Sequence, residues 1–198
     1  MVAESNVRRR VNGRSARVRQ SVIESTLELI REGGIDQLTV AQVASRSGVH
    51  ETSIYRRWGS REKLLVEAIL DLSESDLPVP DSGSFREDLT ILATELCRYL
   101  STPLGLAVAQ LLSWPVKDLA VAEMQGGVWR ERTAAAAVVV KRAIDRGEVP
   151  ENTDPRLVIE LLVAPIHWRA LVLKEELGPD LAVTLAKAVF DGVRCSRP

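Results

Sequence analysis

The stretch that decides the fold is residues 39–65, TVAQVASRSGVHETSIYRRWGSREKLL. In its first half, Val40 and Val43 form an apolar helical face, and Ile54 in its second half returns an apolar side chain to that face. Gly48 lies between the two halves, where it can take the left-handed conformation of a tight turn without a steric penalty. The spacing predicts a helix-turn-helix, a motif that places its second helix in a DNA groove.

The solvent face of the second helix contains residue types that contact base edges and phosphates. They are His50, Glu51, Thr52, Ser53, Tyr55, Arg56 and Arg57. Ile54 and Trp58 fall on the apolar face, so we expect both in the core. His50 is explained equally well as a neighbour of the helix N-terminus and as a base contact.

A set of residues at fixed offsets resembles the pattern of the TetR family of transcriptional regulators. They are Val49, Ile54, Tyr55, Trp58, Ser60, Arg61, Glu62 and Leu64. Trp58 replaces the commoner Phe and Arg61 replaces the commoner Lys, which keeps a large apolar group and a cation. The resemblance covers the first third of the chain. It implies an N-terminal three-helix DNA-binding domain followed by a helical domain for ligand binding and dimerisation.

Matched position by position, the resemblance implies two kinds of DNA contact. Base edges would face Glu51, Thr52 and Ser53, whereas phosphates would be bound by Thr39, Tyr55 and Arg61. Arg56 and Arg57 suit either kind. Thr39 is also the natural N-cap of the first helix of the motif.

Composition independently favours an all-α protein. The chain has 198 residues, 45% of them hydrophobic, with two Phe and two Tyr, so its core is mostly aliphatic. Segments rich in Ala, Leu, Glu and Arg dominate, and strand-like alternation is scarce. Neither a charge-free apolar run of about 18 residues nor a signal-peptide core is present. We therefore expect a cytoplasmic protein with no membrane partner.

Charge is distributed unevenly along the chain. The formal net charge is -1, but residues 1–63 contain 12 basic and 7 acidic residues (+5), whereas residues 64–198 contain 14 and 20 (-6). A basic head on an acidic body fits DNA binding by the head alone. The predicted regions are a flexible basic arm, 1–14, the helix-turn-helix domain, 15–62, and the ligand-binding and dimerisation domain, 63–198.

The arm contains four arginines, Arg8, Arg9, Arg10 and Arg14. They belong either to a solvated tail or to an arm that reaches along the duplex or into the minor groove.

Caps, prolines and glycines predict about nine helices in total. Besides the two of the motif they span about 15–32, 60–76, 84–100, 103–113, a long segment ending near 146, 155–176 and 179–193. The segment 77–83 is the predicted linker, and Pro165 is expected to kink its helix. The resemblance implies that the last two helices form a homodimer interface, with Leu157, Leu161, Leu162, Trp168, Leu181, Leu185 and Val189. The alternative is a buried hairpin within one chain.

An effector cavity is implied by the same resemblance. Its candidate lining is Trp114, Met124, Trp129 and His167. A lone His in an apolar helix is more often an ordinary core or interface residue, so both roles remain open for His167.

Enzymatic and metal functions find little support. The chain has only two His, no HExxH arrangement and no Gly-rich phosphate loop, and Cys97 and Cys195 have no CxxC spacing. We expect no cofactor and no metal. Together with the resemblance to the TetR family, the sequence predicts a homodimeric repressor that a small hydrophobic effector releases from a palindromic operator. The alternatives are an activator, a ligand-independent or nonspecific DNA-binding protein and, more distantly, an enzyme or a small-molecule-binding protein that does not bind DNA.

Overall fold

The computed structural model describes the backbone of residues 4–72 and 79–195 and the side chains of residues 15–71 and 79–194. The chain divides into two compact units, Met1–Glu74 and Ser75–Pro198. All regular structure in the described ranges is helical, which confirms the predicted all-α class. None of the described helices is long and apolar enough to cross a lipid bilayer.

The first unit contains four helices. They are α1 (Glu4–Gly33), α2 (Val40–Ser47), α3 (Glu51–Trp58) and α4 (Arg61–Leu72). Helix α1 packs against α2 and α4, and α3 packs against the same two helices. The buried residues include Val22, Ile23, Val43, Ile54 and Leu64. This core holds the helix-turn-helix, α2 and α3, against the long first helix.

Two boundaries of this unit differ from the sequence prediction. Helix α1 begins at Glu4, where the sequence predicts an irregular arm up to residue 14. The stretch contains no proline and four arginines, which favour helix, so the helix can continue back through it. The unit also ends after Glu74 rather than near residue 62, because Leu64, Leu65 and Ile69 bury α4 in the first core. The side chains of the four arm arginines lie outside the described residues.

The second unit contains six α-helices and one π-helical turn. They are α5 (Phe85–Leu100), α6 (Pro103–Ser113), α7 (Leu119–Ala136), α8 (Val138–Asp145), α9 (Pro155–Trp168), the π-helical turn Arg169–Leu173 and α10 (Pro179–Cys195). Helix α5 packs along α10 and also contacts α6, α8 and α9. The described ranges thus hold ten α-helices, in agreement with the predicted total of about nine, with the Ala-rich segment divided into α7 and α8 at Ala137.

Polar caps begin the helices of the second unit where the sequence places them. Ser84 Oγ accepts from the Glu87 N–H at 3.5 Å, and Asp154 Oδ1 accepts from the Arg156 N–H at 2.9 Å. Pro103 and Pro155 occupy first-turn positions, where a missing N–H costs nothing. The prediction that one helix spans 155–176 is wrong in its last turns. Helix α9 ends at Trp168, and the π-helical turn ends at Leu173, before Lys174 with φ 54°.

A portion of the predicted linker is held in place by α8. Arg142 Nη1 donates to the Pro80 carbonyl at 3.1 Å and lies 3.5 Å from Asp81 Oδ2. The fully buried Asp88 accepts from the Ser82 N–H at 2.8 Å and lies 3.8 Å from Arg146 Nη2. Residues 79–83 are therefore anchored to the second unit, while 77 and 78 lie outside the described residues.

Candidate DNA-binding site

The turn between α2 and α3 has the geometry that the sequence predicts. Thr39 Oγ1 accepts from the Gln42 N–H at 3.2 Å, and the Gln42 side chain accepts from the Thr39 N–H at 2.8 Å, which completes a capping box. Gly48 follows α2 with φ 69°, in the left-handed region. Val49 N–H donates to the Ala44 carbonyl at 3.2 Å. The capping box fixes where α2 begins, and the left-handed turn at Gly48 leads into α3.

Helix α3 separates its two faces cleanly. Ile54 and Trp58 are buried, as predicted, and they attach the helix to the core. The exposed face contains Glu51, Thr52, Tyr55, Arg56 and Arg57, with Ser53 half-buried at its edge. An eight-residue helix with five exposed polar or phenolic side chains is suited to reading a DNA groove.

His50 occupies the N-cap position of α3, but its side chain makes no capping hydrogen bond. Its carbonyl accepts from the N–H groups of Ser53 at 2.9 Å and Ile54 at 3.2 Å. The imidazole is exposed and therefore available for a base contact.

Arg61 has protein partners that the sequence does not indicate. Its Nε donates to the Leu38 carbonyl at 2.7 Å, and its Nη2 donates to the Ile35 carbonyl. Only Nη1, 4.0 Å from Glu62 Oε1, is directed elsewhere. The guanidinium thus holds the turn that precedes Thr39, which makes Arg61 a support for the site. Its predicted phosphate contact remains a prediction that now rests on Nη1.

Arg57 is also engaged within the unit. Its Nη1 donates to Ser15 Oγ at 3.1 Å, and its guanidinium lies 5.4 Å from the ring centroid of Trp58. Arg56 and Tyr55 are exposed on the reading face without such contacts among the described residues. Of the two arginines, Arg56 is therefore the better placed for a base.

Sequence reasoning missed a polar network behind α3. Arg19 Nε donates to Glu67 Oε1 at 2.6 Å and Arg19 Nη2 donates to Asp71 Oδ1 at 3.0 Å, while Trp58 Nε1 donates to Glu67 Oε2 at 2.8 Å. The hydrogen bonds to Glu67 and Asp71 raise the pKa of Arg19 above its ordinary value. The spacing of Glu67 and Asp71, one helical turn apart on α4, was the available signal.

The second unit exposes an apolar stripe on α9. Leu157, Leu161 and Trp168 are 50%, 54% and 56% exposed, and Ala164 lies exposed between them at helical spacing. Three of the seven predicted interface residues thus face outward. The predicted residues Leu181 and Leu185 are half-buried.

Two predicted interface residues are in the interior instead. Leu162 is wholly buried and Val189 is 9% exposed, and both belong to the core of the second unit. Apolar residues cover most of α9, so the pattern alone could not separate its core face from its outer face. This corrects the assignment of Leu162 and Val189 to a partner contact.

Of the four predicted effector residues, two pack against each other and two are exposed. Trp129 and His167 meet edge to face with ring centroids 5.1 Å apart, whereas Trp114 and Met124 are exposed on the surface. Trp129 Nε1 donates to the Leu112 carbonyl at 3.1 Å, and His167 Nδ1 lies 2.9 Å from the Val163 carbonyl. Burial lowers the pKa of His167 below its ordinary value, which keeps the imidazole neutral near pH 7.

The described residues contain no candidate metal-binding site. Within them no group of three or more His, Cys, Asp or Glu residues could hold a metal ion. The free thiol of Cys97 is buried, and its burial raises the pKa of the thiol.

The α2–turn–α3 geometry and the exposed face of α3 define a helix-turn-helix DNA-binding protein with a helical second unit. Residues 22–68 match the model described as "Bacterial regulatory proteins, tetR family", and residues 79–189 match "Tetracyclin repressor-like, C-terminal domain". The chain belongs to the TetR family and is a DNA-binding transcriptional regulator, as the sequence predicts.

Individual relatives agree with this assignment. The chain is 35% identical over 176 residues to the HTH-type transcriptional regulator AqdR of Rhodococcus erythropolis, covering 89% of this chain and 83% of that protein. It is 28% identical over 178 residues to the uncharacterized regulator YdeS of Bacillus subtilis, covering 89% and 90%. The crystal structure of the TetR family transcription regulator SCO0332 aligns with a TM-score of 0.71 at 27% identity, covering 89% and 98%.

Proposed function

We propose that the protein is a homodimeric repressor that binds a palindromic operator and leaves it when a small hydrophobic effector binds the second unit. The observation that carries the proposal is that α3 has two distinct faces. One face buries Ile54 and Trp58, and the other exposes a row of side chains suited to reading a DNA groove. Occupying the operator is sufficient for repression, whereas activation requires a further contact with the transcription machinery.

Roles on the DNA follow from exposure and from the partners already described. Glu51, Thr52 and Arg56 contact base edges, and Thr39 and Tyr55 bind phosphates on either side of the groove. An Arg that donates two hydrogen bonds to a guanine contributes about 1–3 kcal/mol of discrimination, whereas a phosphate contact strengthens binding to every sequence. Arg56→Ala should therefore change the preferred site, and Tyr55→Phe should weaken binding to all sites alike.

The exposed stripe of α9 supports a homodimer. Leu157, Leu161 and Trp168 place three large apolar side chains on one outer face, which a second copy of the chain would cover. A two-fold dimer presents two recognition helices about 34 Å apart, the spacing of successive major grooves on one side of the duplex.

Effector binding is proposed near the Trp129–His167 pair. This contact joins α7 to α9 and combines apolar ring surface with one neutral imidazole, a lining suited to a hydrophobic ligand with one polar group. Release from DNA requires that the ligand bind more tightly to the DNA-incompetent state than to the competent one.

Selection of bound duplexes from a random pool, followed by sequencing, tests DNA binding and symmetry together. We expect a palindromic consensus with half-sites one helical turn apart. A consensus with a single half-site, or one without two-fold symmetry, would refute the dimer. Static light scattering at micromolar concentration checks the dimer directly.

Effector-driven release needs a separate experiment. Hydrophobic compounds that raise the thermal midpoint should also release the selected duplex, and Trp129→Ala should abolish both responses. A ligand that stabilises the protein yet leaves the duplex bound would refute effector-driven release.

A reporter with the selected site at its promoter should be expressed more strongly when the protein is absent, whereas weaker expression would identify an activator.

A further inference from the structure

Three helices of the first unit meet at one carboxylate. Glu67 of α4 accepts from Arg19 of α1 through Oε1 at 2.6 Å and from the indole N–H of Trp58 of α3 through Oε2 at 2.8 Å. Asp71, one turn further along α4, accepts the second Arg19 nitrogen at 3.0 Å. Both oxygens of Glu67 are therefore used, each by a donor on a different helix.

The setting makes these hydrogen bonds directional and strong. The side chains of Arg19, Glu67 and Asp71 are 29%, 33% and 30% exposed, so the network is partly shielded from water. Hydrogen bonds with one ionised partner are about twice as strong as neutral ones. Trp58 can join the network because it is an indole, whereas a phenyl ring at this position would fill the core without donating a hydrogen bond.

Helix α3 needs such a restraint because its apolar attachment is small. It has eight residues and two buried side chains, Ile54 and Trp58. The hydrophobic driving force is non-directional, so burial of two side chains restrains the tilt of the helix less than a hydrogen bond to a neighbouring helix does. An eight-residue helix is about 12 Å long, and a tilt of about 10° at Trp58 therefore moves the Glu51 end by roughly 2 Å. A displacement of that size breaks a base hydrogen bond.

We propose that Glu67 is a positioning residue for operator recognition, which sets the orientation of α3 by holding the Trp58 indole against α1 through Arg19. Arg19 then links α1 to α4 within the first unit, although it lies in the basic N-terminal part of the chain. Its two carboxylate partners neutralise it, so it is not a DNA anchor. The site is read by α3, but the angle at which α3 enters the groove is set from α4 and α1.

Two conservative substitutions and one matched control test this assignment. Glu67→Gln keeps the size and removes the charge, and Trp58→Phe keeps an aromatic core residue and removes the N–H. Glu32→Gln is the control, because Glu32 also pairs with an arginine in this unit, Arg46 at 2.7 Å, and its loss changes the net charge equally. That pair joins α1 to α2 and does not touch α3.

Affinity is measured for the wild-type-selected duplex and for random duplex DNA, at a temperature where unfolding curves show each variant fully folded. Glu67→Gln and Trp58→Phe should each lower the selected-to-random affinity ratio about tenfold, or ~1.4 kcal/mol, with random binding nearly unchanged. The double variant should lose little more than either single one, because both remove the same link. The Glu32→Gln ratio should stay at the wild-type value.

An unchanged ratio in folded Glu67→Gln or Trp58→Phe would overturn the assignment. Additive losses in the double variant, or an equal loss in Glu32→Gln, would overturn it as well. If Glu67→Gln does not fold, Trp58→Phe alone decides. Failure of the wild-type chain to select any duplex would instead refute the proposed operator binding, so the two failures can be told apart.

Discussion

The two units of the chain are stabilised in different ways. In the first unit, charged and polar side chains join the helices: Arg19 to Glu67, Arg46 to Glu32, and Arg61 to the turn before Thr39. The second unit is joined by an aliphatic core that includes Phe85, and ion pairs also link the end of α8 to Asp81 and to Asp88. Directional bonds hold a reading surface at a fixed angle, whereas an apolar core leaves helices freer to shift. The difference suits a first unit that holds its DNA-binding surface rigidly and a second unit whose helices can adjust.

The largest effect is expected where the aliphatic unit has no room to adapt. A Cβ at Gly105 of α6 would lie 1.9 Å from the Tyr99 carbonyl oxygen of α5. Gly105→Ala should therefore reduce the free energy of unfolding by about 3 kcal/mol or more. Gly127→Ala in α7 is the control, since its Cβ meets nothing within 4 Å, and it should be neutral or stabilising by up to about 1 kcal/mol. Denaturant unfolding measures both.

Neighbouring leucines on α9 separate the core of the second unit from its outer face. Leu162→Ala should destabilise the fold by about 2–5 kcal/mol, because Leu162 is wholly buried. Leu161→Glu should leave the folded subunit intact but raise the dimer dissociation constant, because Leu161 is exposed in the single chain. Unfolding curves and light scattering distinguish the two, and a monomer–dimer balance unchanged by Leu161→Glu would exclude α9 from the interface.

These leucines also show how far the sequence could be interpreted. The helix-turn-helix was predictable because its determinants are local: Thr39 caps α2, Gly48 turns left-handed, and Ile54 and Trp58 mark one face. Leu161 and Leu162 lie in a helix that is apolar on most sides, so only contacts with distant segments decide which is buried.

Long-range polar contacts were equally hidden. Arg61 is 23 residues from Leu38 and Arg19 is 48 residues from Glu67 in the sequence. The resemblance assigned Arg61 to a phosphate, and Arg19 was counted only as part of the basic head, since a count cannot show which charges are already paired within the fold.

A smaller loss of stability is expected when one helix cap is removed in either unit. Thr39→Ala and Ser84→Ala each remove a side-chain oxygen that accepts a helix N–H, which should cost about 1 kcal/mol of stability in either case. Only Thr39→Ala should also weaken binding to the selected duplex, because only Thr39 lies at the proposed phosphate contact. Thr39→Ser should restore both properties. If Ser84→Ala weakened binding as much, the loss would reflect stability rather than contact.

The smallest effect is expected at one left-handed position in each unit, Gly48 in the first and Lys174 in the second, with φ 69° and 54°. A side chain in this region costs about 1–2 kcal/mol, and a glycine costs about 0.5–1 kcal/mol in lost chain entropy. Gly48→Ala should therefore destabilise the first unit, whereas Lys174→Gly should stabilise the second by less than about 1 kcal/mol. Thermal unfolding of the two variants measures both signs. A loss of stability in Lys174→Gly would mean that the lysine side chain makes a compensating contact, and the turn after α9 would then be more tightly held than a second unit with adjustable helices requires.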